Sequence, residues 1–270
     1  MRPPTDMLWL SPSGLNQPAM ALAQARVHIW RISIAQSPRI LARLGECLSP
    51  SEWERANRFR FDRDRDRFIA SRSSLRHILG CYLECAARDI AFGYGEFGKP
   101  FLVNNISRWG GLEFNLSHSG DLALCAVGLQ PVGIDIEQIK ARSRLDSLAQ
   151  HCLSTSEYRN WHQQPEADRL QIFLNYWTCK EAYLKAVGKG LTQAMSEIEL
   201  VLKPWIALRH WNTPNEDAPN QAEPWTLKQL AVGEDYVAAI AAAAPTLNII
   251  GWQYDAAALQ DCSPLSGSTE

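Results

Sequence analysis

Two hexapeptides constrain this chain more than any other feature of it. LSPSEW occupies residues 48–53 and LSTSEY occupies residues 153–158; the two agree at Leu, Ser, Ser and Glu, and both end on an aromatic residue. The first is a helix start, with Ser49 as cap, Pro50 at the first helical position and Glu52 three residues beyond the serine. Each hexapeptide leads into a long amphipathic helix and then strands. Further on, EDYVAAIAAAAP (234–245) echoes GDLALCAVGLQP (120–131) in residue type and order. Chance likeness of two helix starts is the competing reading of so short a match. The reading adopted is an α+β chain of two similar halves in tandem, related as a pseudo-twofold pair. Each half is a small antiparallel sheet packed with a long helix. The halves span 1–130 and 131–270.

Between these anchors the pattern is regular. VHIWRISIA (27–35) alternates as a strand does. RFDRDRDRFIASRSSLRHILGCYLE carries Phe68, Leu75, Ile78, Leu79 and Leu83 on one helical stripe. DIAFGYGEFGKPFLV is a loop and strand broken by Gly93, Gly95, Gly98 and Pro100, and LEFNLSHSGDLALCAVGL is two strands joined at Gly120–Asp121. FLNYWTCKEAYLKAVGKGL (173–191) is a helix with an apolar face of Phe173, Trp177, Leu184 and Val187, stopped at Gly188 and Gly190. Residues 1 to 25 read as a loosely held lead, the Pro-rich stretch from Lys203 to Pro224 as a surface loop, and the tail from Ala256 as frayed.

Composition excludes several classes. With 270 residues and a formal net charge of −2, the chain lacks the basic excess of a general nucleic-acid or membrane-surface binder. No stretch has the length of a membrane span or the pattern of a signal peptide, so the expected location is cytoplasmic. Seven scattered cysteines, none in a CxxC pair, argue against a zinc site and a disulfide framework.

Two short motifs carry chemistry. In VGIDIEQI, strand alternation puts Ile134 and Ile136 on one side and Asp135 and Glu137 on the other. Such a pair is either a solvated acidic face or half of a hard-cation site that keeps waters and substrate phosphates as its other ligands. In the 173–191 helix, Glu181 and Lys185 stand one turn apart, either as a surface ion pair or as working groups. Glu181 is the obvious third carboxylate.

GIDIE (133–137) and WTCKEAYLKAVGKGL (177–191) resemble the two signatures of the 4′-phosphopantetheinyl transferases. GKP (98–100) and FNLSHSG (114–120) are similar to secondary motifs of the long, surfactin-synthetase-type branch, whose members are pseudo-dimers in one chain. The likeness runs from about Val27 to Tyr254. It implies an enzyme that moves the phosphopantetheine arm of coenzyme A onto a serine of an apo acyl or peptidyl carrier protein, releasing adenosine 3′,5′-bisphosphate. It implies Mg²⁺ held by Asp135, Glu137 and Glu181, with Glu181 and Lys185 catalytic. It implies that Lys99, Ser117 and His118, with Arg55, Arg67 and Lys185, hold the phosphates of coenzyme A. The first half would grip the adenosine end and the second would carry metal and catalysis. Arg142, Arg144 and Arg159 would face an acidic carrier helix. Phe68 and Ile139 depart from family members that have hydroxyl residues there. The expected partners are coenzyme A and a carrier, with no nucleic acid and no membrane, and the chain is expected to be a monomer. The alternative is a non-catalytic module that binds a nucleotide or a carrier.

Overall fold

The glutamates of the two hexapeptides explain why each half folds around its long helix. The computed structural model describes residues 5–12, 22, 26–103, 111–188, 195–201, 207–211 and 225–258, with backbone alone at 201 and 207–211. In chain order the elements are β1 (Trp9–Leu10), β2 (Arg26–Ser33), α1 (Pro38–Gly45), α2 (Pro50–Asn57), α3 (Asp62–Leu83), β3 (Phe92–Tyr94), β4 (Pro100–Leu102), β5 (Glu113–Ser119), β6 (Leu122–Gly128) and β7 (Val132–Gln138). There follow α4 (Leu145–Cys152), α5 (Thr155–His162), α6 (Glu166–Val187), β8 (Ile198–Val201), β9 (Ala207–Trp211), β10 (Trp225–Leu230), β11 (Tyr236–Ala243) and β12 (Asn248–Tyr254). Ser49 caps α2 and Ser154 caps α5, each in a complete capping box with Glu52 or Glu157. The same two carboxylates then turn inward. Glu52 accepts from Arg72 Nε at 2.5 Å and Arg76 Nε at 2.8 Å, both on α3. Glu157 accepts from Lys180 Nζ of α6 at 2.5 Å and from Leu200 N at 2.7 Å. One residue type therefore starts the short helix and fixes the long one to it.

The chain forms two compact units. One holds Leu8–Gly93, Pro100–Leu129 and Ile249–Glu270; the other holds Met1–Met7, Tyr94–Lys99 and Gln130–Asn248. The first is built on a sheet of order β1-β12-β2-β6-β5 and the second on β10-β11-β7. In each, the echoed strand is interior: β6 pairs antiparallel with β2 and β5, and β11 with β10 and β7. α3 and the first sheet enclose Trp30, Ile32, Leu75, Ile78, Leu79 and Phe114. α6 and the second enclose Phe173, Leu174, Cys179, Leu184, Ala239 and Ala241.

Several expectations need correcting. The units do not follow a single cut at 130/131, because β12 joins the first sheet and Tyr94–Lys99 belongs with the second unit. The first sheet is not wholly antiparallel, since β1 runs parallel to β12. The described stretch of the lead, residues 5–12, is tied down: β1 is a strand, and Thr5 exchanges backbone hydrogen bonds with Gln229 and Ala231. Two-residue strands give alternation nothing to show. Within the Pro-rich stretch, β9 pairs with β8 across a bulge near Glu199/Leu200. The rest of that stretch, the tail beyond 258, Cys262, and Lys189 to Leu191 lie outside the described residues. α6 begins at Glu166, two turns before the apolar stripe, and stops at Gly188, whose φ of 76° favours glycine. Among the described residues, the six other cysteines form no disulfide.

Candidate active site

The site is set by how closely α6 lies on β7. A Cβ built on Gly133 would stand 2.0 Å from the carbonyl oxygen of Ala182 and 2.4 Å from the amide nitrogen of Ala186, so no side chain fits there unless the helix moves away. Ala239 and Ala241 pair with Asp135 and Gly133 on the neighbouring strand and keep the same face low. Strand alternation carries that face from Gly133 to Asp135 and Glu137. On the helix, Glu181 and Lys185 flank Ala182 and Ala186. The two motifs singled out from the sequence thus come to one place on the second unit.

The electrostatics tie them together. Asp135 is buried and Lys185 Nζ donates to its Oδ1 at 2.6 Å. Glu137, half-buried, accepts from Arg142 Nη2 at 2.7 Å. Burial pushes the Glu181 carboxyl up to about 7; the Lys185 ammonium pulls it down, and the negative charges of Asp135 and Glu137 push it further up. The three acids therefore interact, and each would be relieved by a shared cation.

Among the described residues, no three His, Cys, Asp or Glu side chains are placed to hold a metal ion as they stand. Lys185 and Arg142 instead hold two of the three carboxylates. The donor chemistry nonetheless fits a hard divalent ion. It consists of carboxylate oxygens alone, with an excess of negative charge and one acid, Glu181, pushed toward its protonated form by burial first and then by the other two.

The raised Glu181 value carries a prediction for the metal-free protein. With the folded value near 7 and the ordinary value at 4.5, the folded state binds more protons than the unfolded state in between. Stability attributable to Glu181 is present at the acid end and falls as pH rises through that window, by up to about 3 kcal/mol. Melting temperatures of wild type and Glu181→Gln, followed in EDTA from acid to neutral pH, should converge at the acid end. The wild type should fall below the variant at the neutral end, and added Mg²⁺ should close the gap. Parallel curves would contradict it.

The expected phosphate-binding residues are distributed over both units. Lys99 lies in the same unit as the acids, where its Nζ donates to the Ala186 carbonyl at 3.0 Å, in the last turn of α6. A cation there also meets the negative end of the helix dipole. Ser117, His118, Arg55 and Arg67 belong to the other unit. There Arg67 bonds Asp121 Oδ1 at 2.5 Å, at the turn of positive φ at Gly120 that follows Ser117 and His118. His118 is exposed and Ser117 buried. Arg55 stacks its guanidinium over the Phe68 ring at 5.1 Å, and Phe59 packs on the same ring at 5.5 Å. Phe68 thus serves packing, as does Ile139, which lies against the second core.

One important residue escaped sequence reasoning. Lys180, next to Glu181, is fully buried, and besides Glu157 it donates to the carbonyls of Cys152 at 2.8 Å and Met195 at 3.0 Å. The one signal was the glutamate repeated in the two hexapeptides, whose burial the sequence alone does not show.

Comparison with known proteins agrees with this arrangement. A family profile described as 4′-phosphopantetheinyl transferase superfamily matches residues 131–241, and one described as 4′-phosphopantetheinyl transferase, N-terminal, matches residues 34–129. The chain belongs to the 4′-phosphopantetheinyl transferases and is an enzyme of that class. It is 42% identical to the 4′-phosphopantetheinyl transferase HetI of Nostoc sp. strain PCC 7120, over 87% of this chain and 93% of that protein. It is 28% identical to the transferase Sfp of Bacillus subtilis strain 168, over 73% of this chain and 83% of that protein. The figures for psf-1 of Bacillus pumilus are 37%, 64% and 71%. Within the family the chain falls in the long, Sfp-like branch.

Proposed function

We propose that this protein transfers the 4′-phosphopantetheine arm of coenzyme A to a serine hydroxyl of an apo acyl or peptidyl carrier protein, at a Mg²⁺ site formed by Asp135, Glu137 and Glu181. The observation that supports this reading best is the meeting of those acids with Lys185 where α6 lies on Gly133. Mg²⁺ held there would neutralise the pyrophosphate oxygens of coenzyme A.

The chain's own residues would then act as follows. The serine oxygen attacks the phosphorus that bears the pantetheine arm. The bond from that phosphorus to the bridging oxygen breaks, and adenosine 3′,5′-bisphosphate leaves with the electron pair. Glu181, or a water it holds, takes the serine proton. Lys185, one turn on, offsets charge on the departing phosphate. Lys99, Arg55, Arg67, Ser117 and His118 hold the phosphates and adenosine of coenzyme A, and Lys185 reaches the pyrophosphate. Arg144 and Arg159, both exposed, and Arg142 face the acidic carrier.

No helix among the described residues is long and apolar enough to cross a membrane. The near-neutral charge balance supports a protein that binds neither membrane surfaces nor nucleic acid, two similar halves in one chain support a monomer, and a cytoplasmic location is part of the same proposal. The test is a mass measurement. A panel of apo carriers incubated with the protein, coenzyme A and Mg²⁺ should gain the mass of one phosphopantetheine. Carriers that bind the protein yet gain no mass would favour the binding-module reading.

A further inference from the structure

We propose that Arg142 is an internal latch on the metal site: a positioning residue that occupies Glu137 when no divalent ion is bound and competes with the ion for it. The inference rests on the reading of Glu137 as a metal ligand. Arg142 follows β7 by a few residues and returns to it, placing Nη2 at 2.7 Å from Glu137 Oε2. Its guanidinium carbon also stands 6.0 Å from the centre of the Trp177 ring on α6. A guanidinium with both partners keeps a resting place over the indole once the carboxylate turns to another cation.

The neighbouring pair has the same form. Lys185 holds Asp135 as Arg142 holds Glu137, so two of the three acids carry a substitute cation from the chain itself. The two pairs differ in one respect: the Glu137 and Arg142 side chains retain 21% and 27% of their exposure, whereas that of Asp135 retains 5%. The outer pair is therefore the one that opens at least cost as an ion enters. Opening it moves a positive charge off the site in the same step that brings one in, so Glu137 is not left without a cation. Arg142 also becomes free for an anionic group at the moment the site is loaded. The latch thus makes the metal-free site tolerable at the expense of metal affinity.

Mn²⁺, followed by electron paramagnetic resonance without coenzyme A, reads this directly. A partly exposed ion pair shifts an equilibrium by up to about fivefold. Arg142→Ala and Arg142→Gln should accordingly bind Mn²⁺ about fivefold more tightly than wild type, and Arg142→Lys should remain close to it. Affinity unchanged or weakened in the Ala and Gln variants, with unaltered circular dichroism, would overturn the latch. In unmodified protein, an arginine-selective dicarbonyl should label Arg142 faster when Mn²⁺ is present; equal labelling would count against the proposal even if a variant failed to fold. Glu137→Ala separates the two readings. If it binds Mn²⁺ as tightly as wild type, Glu137 is not a ligand and the latch falls with it. If it binds weakly while Arg142→Ala matches wild type, the metal site stands and only the latch is wrong.

Discussion

Asp135→Ala should abolish phosphopantetheine transfer, by about a thousandfold or more, while the protein stays folded. The carboxylate is buried on the face of β7 that α6 covers, and it interacts with both Lys185 and Glu181. Its removal deletes a ligand from the proposed metal site and releases the Lys185 ammonium from its position. It also takes away one of the two charges that push Glu181 upward, so part of the lost ion pairing is offset. Two measurements check it: mass gain of an apo carrier, and the thermal midpoint. A variant that still loads carriers at near wild-type rate would refute the site. A variant that is inactive because it is unfolded would show as a collapse of the midpoint. Asp135→Asn, which keeps the volume, then provides the cleaner comparison.

The largest effect on stability is expected at Lys180. Its ammonium is wholly buried, and burial lowers its pKa while Glu157 opposes the change. Lys180→Met would leave the Glu157 carboxylate buried without its cation, a loss that typically costs about 3–5 kcal/mol. Glu157 would keep its bonds from Ser154 N and Leu200 N, both at 2.7 Å, so its charge would remain partly solvated by the backbone. The double variant Glu157→Gln, Lys180→Met should recover part of the loss, because the uncompensated charge has gone. Urea unfolding midpoints of the two single variants and the double would measure the coupling. A Lys180→Met midpoint within error of wild type would show that the pair is not what holds α5 to α6.

Much of this was legible beforehand because it is local. Ser49, Pro50 and Glu52 define a helix start by chemistry that needs no tertiary partner, and the structure shows that capping box complete. The alternation in GIDIE puts its two acids on one face whatever lies opposite. What alternation could not supply was the neighbour: Gly133 acquires meaning only when Ala182 and Ala186 of α6 approach it. The glutamate of the second hexapeptide was visible, yet its burial against Lys180 depends on residues far apart in the chain. Short elements were missed for a different reason. α1, capped by Ser37, and α4, entered through Arg144 at positive φ, are each only two turns long. Their periodicity is too brief to stand out from a polar background. Lys99 had been assigned with the first half because of its place in the chain, whereas contacts place it in the second unit.

The return of β12 to the first sheet also orders events at the ribosome. β2 has β6 on one side and β12 on the other, and β12 is made only after the entire second unit has been translated. At about 5–20 residues per second, the nascent first sheet waits on the order of ten seconds with one flank of β2 open. A bare strand flank invites pairing with any other chain nearby. Expression of residues 1–130 alone should consequently yield aggregates, and supplying the final strand as a separate peptide should return them to solution.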